Sequence, residues 1–364
     1  MVKAVEQRQE LMDTLFPEGI PRLWVPLLTF YNEEAEVDPV HTQAHHDFLS
    51  PQVNSFLTPG STGDGWELTG TEVETLLRME LEVAKRRRQS VMVGVLKTGS
   101  GEAAEQVASL AERYGGRATK QAKGIDRESA AALLRRRITG FTVTPPKGRE
   151  LKQEEIYDEL AEVLDFGLPT ALYQLPQITE NSMEPETVAA LAERYPGFYL
   201  LKDTSGEDAV ASTGLDYGGV YLVRGAEGGY ADHLKSAGGA YDGYLLSSAN
   251  CFAKELREII WMCDNNRHGE ARALARRVSA VVDHAFGLVE GLGYANPFSN
   301  ANRAIDHIFA YGNESKILPP PMTHSGRRLP EEVILAVRDA LAAEGFNTEI
   351  GYVNPAIHGT DEFD

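Results

Sequence analysis

Lys202 is the residue in this chain whose surroundings most demand explanation. It stands in Tyr199-Leu200-Leu201-Lys202-Asp203-Thr204, an otherwise apolar, strand-like run. Burying an ammonium is costly, and burial lowers a lysine's pKa by disfavouring the charged form. A lysine lowered in that way is an amine nucleophile, able to attack a carbonyl and form a Schiff base. A salt-bridged or snorkelling lysine is the alternative. Tyr173, in Ala171-Leu172-Tyr173-Gln174-Leu175-Pro176, ends a neighbouring run and could relay protons at an imine carbon. Thr58-Pro59-Gly60-Ser61-Thr62-Gly63-Asp64-Gly65 ends a strand-like run in a glycine-rich turn whose Ser61 and Thr62 bear hydroxyls, offering N–H and O–H donors to a carboxylate or carbonyl oxygen. Its glycines could equally serve only backbone geometry.

These residues must be positioned by the elements that carry them. Short apolar runs alternate with helical patterns from about residue 23 to 265, the signature of repeated βα units. The runs are Leu23 to Thr29, Val53 to Thr58, Val91 to Leu96, Ile138 to Thr144, Pro169 to Gln174, Phe198 to Lys202, Gly219 to Arg224 and Tyr241 to Ser247. Eight such units predict an α/β fold of the (β/α)8 TIM barrel type, with catalytic side chains at the carboxyl ends of the strands. A doubly wound open sheet would usually show a glycine fingerprint after its first strand, and Leu28-Thr29-Phe30-Tyr31 has none.

The expected organisation is a catalytic barrel over 20–265, a C-terminal helical extension over 266–345 and an irregular tail over 346–364. The extension carries helical patterns near Arg267 to Glu290, Asn300 to Tyr311 and Pro330 to Glu344. Gly115 to Arg137 is long for a helix-to-strand connection and is expected to be an insertion at the barrel's bottom, serving stability or assembly rather than chemistry.

Composition narrows the function classes. The chain has 364 residues, 42% of them hydrophobic, enough for a large core, and a formal net charge of -19, which disfavours a nucleic-acid partner. The triplets Arg86-Arg87-Arg88 and Arg135-Arg136-Arg137 fall at helix ends, where cations suit the dipole. Cys251 and Cys263 make neither a disulfide framework nor a metal site. No apolar run reaches the roughly 18 residues of a spanning helix, and Met1 to Phe16 is charged and amphipathic, so a cytoplasmic location without membrane attachment is expected. His41, His45 and His46 cluster on a helical pattern without the Glu of a zinc motif, and a solvated face is expected rather than a metal.

Taken together, Gly60-Ser61-Thr62-Gly63-Asp64, Tyr173-Gln174-Leu175-Pro176 and Leu201-Lys202-Asp203-Thr204 resemble the dihydrodipicolinate synthase and N-acetylneuraminate lyase family in order, strand and spacing. Asn296-Pro297 and Gly326-Arg327-Arg328-Leu329-Pro330 fit the same pattern, so the resemblance covers roughly 20–345. It implies a pyruvate-type Schiff base on Lys202, with Tyr173 as proton relay and Ser61 and Thr62 on the 2-oxo acid carboxylate. Catalytic roles then fall to Lys202, Tyr173 and Ser61, and substrate binding to Gly60, Thr62, Ile178, Thr204, Gly225, Glu227 and Ser247. The resemblance implies no cofactor and a homo-oligomer, tetramer or dimer.

The chain also departs from the pattern. Gln177-Ile178-Thr179 stands where the synthase branch has an arginine for its aldehyde substrate's carboxylate. Pro145-Pro146-Lys147-Gly148 stands where that branch has aromatic residues, one of them a relay tyrosine. Dihydrodipicolinate synthesis is therefore not expected. Ile178-Thr179 and Thr204 look more like the sialate lyase branch, yet of its acidic pair only Glu227 remains in Gly225-Ala226-Glu227-Gly228. Lys97 and Lys147 are unexpected cations at strand ends, open to a distal carboxylate or to solvent. Retro-aldol cleavage and dehydration of a 2-keto-3-deoxy sugar acid both start from the same imine, and the residues do not separate them. A non-catalytic barrel that binds a 2-oxo acid, or serves in an assembly, is the competing class.

Overall fold

The computed structural model describes residues 2–120 and 124–353, and the tail beyond 353 lies outside the described residues. Eight parallel strands close into a barrel in sequence order: β1 Leu23–Pro26, β2 Ser55–Thr58, β3 Ser90–Val95, β4 Ile138–Val143, β5 Thr170–Gln174, β6 Phe198–Asp203, β7 Tyr221–Arg224 and β8 Gly243–Leu245. Almost every strand residue is buried, as expected of a parallel sheet covered by helices on its outside and filled by side chains within. The helices are α1 Val2–Leu15, α2 Pro39–Leu49, α3 Gly70–Arg87, α4 Glu102–Arg113, α5 Arg127–Arg135, α6 Gln153–Leu164, α7 Pro176–Thr179, α8 Pro185–Arg194, α9 Ala209–Ser212, α10 Ala249–Asp264, α11 His268–Val289, α12 Pro297–Tyr311 and α13 Glu331–Ala343.

Local sequence explains where these elements begin and end. In α3 a capping box joins Thr69 and Glu72 at the N-terminus, and Lys85, Arg86 and Arg87 fill the last turn against the dipole's negative end. Asp38 caps α2 by accepting from the N–H groups of Val40 and His41. The eighth strand is shorter than its apolar run: Gly243 and Tyr244 pair with β7, and Tyr244 and Leu245 with β1.

Three features close the barrel. Leu11, Leu15 and Phe16, at the end of α1 and just after it, pack with Trp24, Leu57, Met92 and Leu200, so this amphipathic segment plugs the bottom of the barrel. The segment 115–137 contains α5, whose Ala130 joins that bottom cluster while Leu133 joins the layer outside β3 to β6. Residues of α10 to α13 share one hydrophobic cluster with β1, β2 and β8, which fixes the C-terminal helices against the side of the barrel. No helix among the described residues is long and apolar enough to cross a membrane.

The solvated face expected for His41, His45 and His46 is not what forms. His45 and His46 are buried. His46 faces Glu80 at 2.5 Å and the side-chain oxygen of Gln89 at 2.7 Å, while His45 lies 2.9 Å from Asp306 of α12 and 3.1 Å from Asn250 Oδ1. Tyr352 also donates to Asp306, at 3.0 Å, tying the segment after α13 to this cluster. Burial opposes the Asp306 charge, but the flanking His45 and His41 hold its carboxyl below the usual carboxylate range.

Candidate active site

The register of β5 and β6 sets Tyr173 directly opposite Lys202, and β7 sets Val223 on the other side. Alternation along a strand then turns Asp203 the opposite way from Lys202. Asp203 accepts from the Ser205 N–H at 2.9 Å and the Tyr241 O–H at 3.3 Å, and burial pushes its carboxyl up. The lysine's sequence neighbour is therefore committed elsewhere. Lys202 is only 4% exposed, its Nζ lies 3.9 Å from the centre of the Tyr173 ring, and no carboxylate pairs with it among the described residues. A salt-bridged structural lysine is not what the strand presents.

Gly225 makes room for that side chain. A Cβ there would fall 2.8 Å from Lys202 Cε and 2.1 Å from Thr204 Oγ1, so any larger residue would collide with both. Thr204 is buried, and its hydroxyl has no partner among the described residues. A buried unpaired hydroxyl is costly unless a ligand completes it.

The glycine-rich turn reaches the same place from β2. Ser61 Oγ lies 3.4 Å from Tyr173 Oη and accepts from the Trp66 indole N–H at 2.8 Å. The turn is held from α12, since Asn296 Nδ2 donates to the Ser61 carbonyl at 2.9 Å and Ser299 Oγ to the Thr62 carbonyl at 2.7 Å. Gly60 takes part through its carbonyl, which accepts from the N–H groups of Gly63 and Gly65, both at 3.0 Å. At Gly63 a Cβ would sit 2.4 Å from the Leu27 carbonyl oxygen, so only glycine lets this turn lie against β1. Asp64 is bound by Arg303 and by the Tyr31 O–H, and burial together with the Asp64 charge pushes the Tyr31 phenol far up.

The remaining residues expected at the site separate into two places. Glu227 accepts from Ser247 Oγ at 2.6 Å, Ser248 N–H at 3.0 Å, Ser248 Oγ at 2.6 Å and Tyr230 O–H at 2.8 Å. Its oxygens are thus filled by the protein's own donors, Ser247 included. Ile178, on the one-turn α7 after the Tyr173 strand, is 37% exposed. Lys147 pairs with Glu180 at 3.1 Å and Lys97 is exposed. Trp66, Ser299 and the Arg303–Asp64 pair escaped the sequence reading. Trp66 is only five residues beyond Ser61, but nothing in residue type marks an indole as a partner of that hydroxyl.

The site is thus a closed parallel barrel with an unpaired lysine at a strand end, a tyrosine beside it and a hydroxyl-bearing turn opposite. The dihydrodipicolinate synthetase family model matches residues 129–290. A 4-hydroxy-tetrahydrodipicolinate synthase from an Exiguobacterium species is 30% identical over 164 residues, 45% of this chain and 48% of the relative. The Xanthomonas campestris enzyme of that name is 26% identical over 239 residues, 65% of this chain and 70% of the relative. A Corynebacterium glutamicum protein named a probable 5-dehydro-4-deoxyglucarate dehydratase is 26% identical over 180 residues, 49% of this chain and 48% of the relative. The match thus spans about half the length of two of these three relatives. Among solved structures, a pyruvate complex of an E. coli prophage protein of the dihydrodipicolinic acid synthase family superposes with TM-score 0.66 at 18% identity, covering 88% of this chain and 97% of that one. A Thermotoga maritima dihydrodipicolinate synthase gives 0.66 at 17% identity, over 89% and 98%. Over residues 129–290 the chain is thus similar to the dihydrodipicolinate synthetase family, and the solved structures share its fold.

Proposed function

We infer that this protein is a lyase that forms a Schiff base between Lys202 and a 2-oxo acid of the pyruvate type, and then cleaves or dehydrates a 2-keto-3-deoxy sugar acid or sialate-like substrate. One observation carries this reading: a buried lysine at a strand end, over the Tyr173 ring, without a counter-ion among the described residues. The Ser61 and Thr62 N–H groups, with the Thr62 hydroxyl, hold the carboxylate so that the ketone faces the amine, the positioning contribution to catalysis. The neutral amine adds to C2. Tyr173 then gives its proton to the carbinolamine hydroxyl, which leaves as water. Thr204, whose hydroxyl is free to accept a partner, binds next to the imine, Gly225 keeps the space clear, and Gly60 lets the binding turn pack against Pro26 and Leu57.

The distal half of the substrate meets Ile178 at the rim. An apolar side chain there offers no bidentate partner to a carboxylate, so condensation of pyruvate with aspartate semialdehyde is not the activity. The Corynebacterium relative's printed name supports a sugar acid instead. Glu227 and Ser247 act as a pre-bonded pair that presents the Ser247 hydroxyl rather than as free ligands. The working unit is a barrel over 20–265 buttressed by 266–345, in a cytoplasmic homo-oligomer, dimer or tetramer, whose subunit count light scattering would read.

The test is a panel of 2-keto-3-deoxy sugar acids and sialates. Pyruvate release in a coupled assay identifies aldol cleavage, and loss of substrate with water but without pyruvate identifies dehydration. Binding of 2-oxo acids without any turnover across the panel would instead support a non-catalytic barrel.

A further inference from the structure

Trp66 donates its indole N–H to Ser61 Oγ at 2.8 Å while its ring packs against the cluster of Leu96, Tyr173 and Leu175. We propose that Trp66 is a positioning residue that polarises Ser61 toward Tyr173, so that Tyr173 can release a proton and take one back during imine chemistry. The proposal deepens the Schiff-base reading and rests on it.

An indole N–H can only donate, so it occupies a lone pair of Ser61 Oγ and leaves that hydroxyl its own hydrogen to spend. Among the described residues the only other partner of Ser61 Oγ is Tyr173 Oη at 3.4 Å. Asn296 and Ser299 hold the Ser61 backbone, and the Trp66 bond holds its Oγ. No hydroxyl competes from β4: Thr144 Oγ1 donates to the Lys97 carbonyl at 3.3 Å, and Pro145 and Pro146 follow. The indole bond favours the order Trp66 N–H to Ser61 O–H to Tyr173 Oη, above all once the tyrosine oxygen is negative and can only accept, and each bond strengthens the next.

The chemistry that this order serves balances. Tyr173 gives its phenolic proton to the carbinolamine hydroxyl, which departs as water, and the tyrosine oxygen is left negative. It then takes a proton from C3 of the iminium; that C–H electron pair becomes the C2–C3 double bond, and the C=N pair moves onto nitrogen. A hydrogen bond donated by Ser61 to the negative oxygen is stronger than one to the phenol, and it is selectively favoured when the charge develops.

Pyruvate alone suffices as the probe. Its methyl protons exchange with deuterium in D2O through the enamine, which NMR follows without knowledge of the second substrate, and borohydride traps the imine on Lys202. In Trp66→Phe the trapped adduct should form to the wild-type extent while methyl exchange falls about 3- to 10-fold, the worth of one neutral hydrogen bond. Ser61→Ala should slow exchange further, and adding Trp66→Phe to it should change the rate less than about twofold, because the indole then has nothing to act through. Should the phenylalanine variant fail to fold by circular dichroism, 3-benzothienylalanine at position 66 keeps the bicyclic shape and removes only the N–H. Wild-type exchange in the folded variant, or a multiplicative effect of the two substitutions, would overturn the role of Trp66. Absence of any adduct in the unmutated enzyme would overturn the Schiff-base reading itself.

Discussion

Two buried cations sit at opposite ends of this barrel, and they are treated differently. At the bottom, Arg8 of α1 is fully buried and spends its guanidinium on four carbonyls: Phe198 at 2.6 Å, Ala192 at 2.5 Å, Tyr195 at 3.0 Å and Gly218. Burial lowers its pKa to about 10, which still leaves it charged at neutral pH. At the top, Lys202 is almost as buried and has only the face of an aromatic ring. A cation whose donors are saturated by fixed backbone oxygens has no capacity left for a ligand. One that is left unmatched keeps its nitrogen open to a carbonyl carbon, which is the difference between a clamp and a nucleophile.

The sharpest way to break this contrast is to remove each cation. Lys202→Ala should lower turnover by on the order of 10^4-fold or more, since a covalent nucleophile acts as an indivisible part of the machinery. The same variant should melt no lower than the parent, because an unmatched buried ammonium contributes little to the fold. Arg8→Met should do the reverse. It leaves four carbonyls short of a donor and should destabilise the protein by about 3 to 5 kcal/mol, read from denaturant midpoints, while the folded fraction keeps its activity. A Lys202→Ala protein that unfolds, or an Arg8→Met protein that is stable but inactive, would reverse the assignment.

Smaller perturbations sharpen the same comparison. Tyr173→Phe should still bind the 2-oxo acid but turn over about 100-fold more slowly, the usual worth of a proton relay, with steady-state rates as the check. A third buried base, His307 of α12, is held neutral: burial lowers its pKa to about 4, only partly offset by the bond of Nε2 to the Ser315 carbonyl at 3.2 Å. In the unfolded chain this histidine titrates near 6.5, so between about 6.5 and 4 the unfolded state binds more protons and stability falls as pH falls. From pH 7.5 to 5.5 that loss is about 1 kcal/mol. His307→Gln should remove this increment, so melting curves at the two pH values should show the parent losing about 1 kcal/mol more than the variant, and equal losses would contradict it.

How far the sequence could be read follows the same division. Each strand is a local pattern, and all eight fall where their apolar runs lie, with the eighth trimmed at both ends because pairing stops before hydrophobicity does. The pairing of Lys202 with Tyr173 was legible because adjacent parallel strands bring their carboxyl ends together. What stayed hidden were partners that arrive from far along the chain. Met1 to Phe16 read only as charged and amphipathic, and nothing in that pattern marks Arg8 as the residue that turns inward to carbonyls near residues 192 to 218. His45 and His46 read as exposed for the same reason, since Asp306 and Glu80 come from other helices. Glu227 read as a free carboxylate, but Ser247 and Ser248 of a later element fill it. Residue type announces a polar group; only the fold decides whether something meets it.

The central claim is that the unmatched cation at the top of the barrel is the nucleophile, and covalent capture tests it most directly. The protein is incubated with pyruvate, reduced with borohydride, digested, and its peptides mapped by mass spectrometry. The account requires inactivation and a single reduced pyruvyl adduct on the peptide containing Lys202, absent from Lys202→Ala. An adduct on Lys97 or Lys147 with Lys202 unmodified would contradict it, as would a protein that pyruvate and borohydride leave unlabelled and fully active.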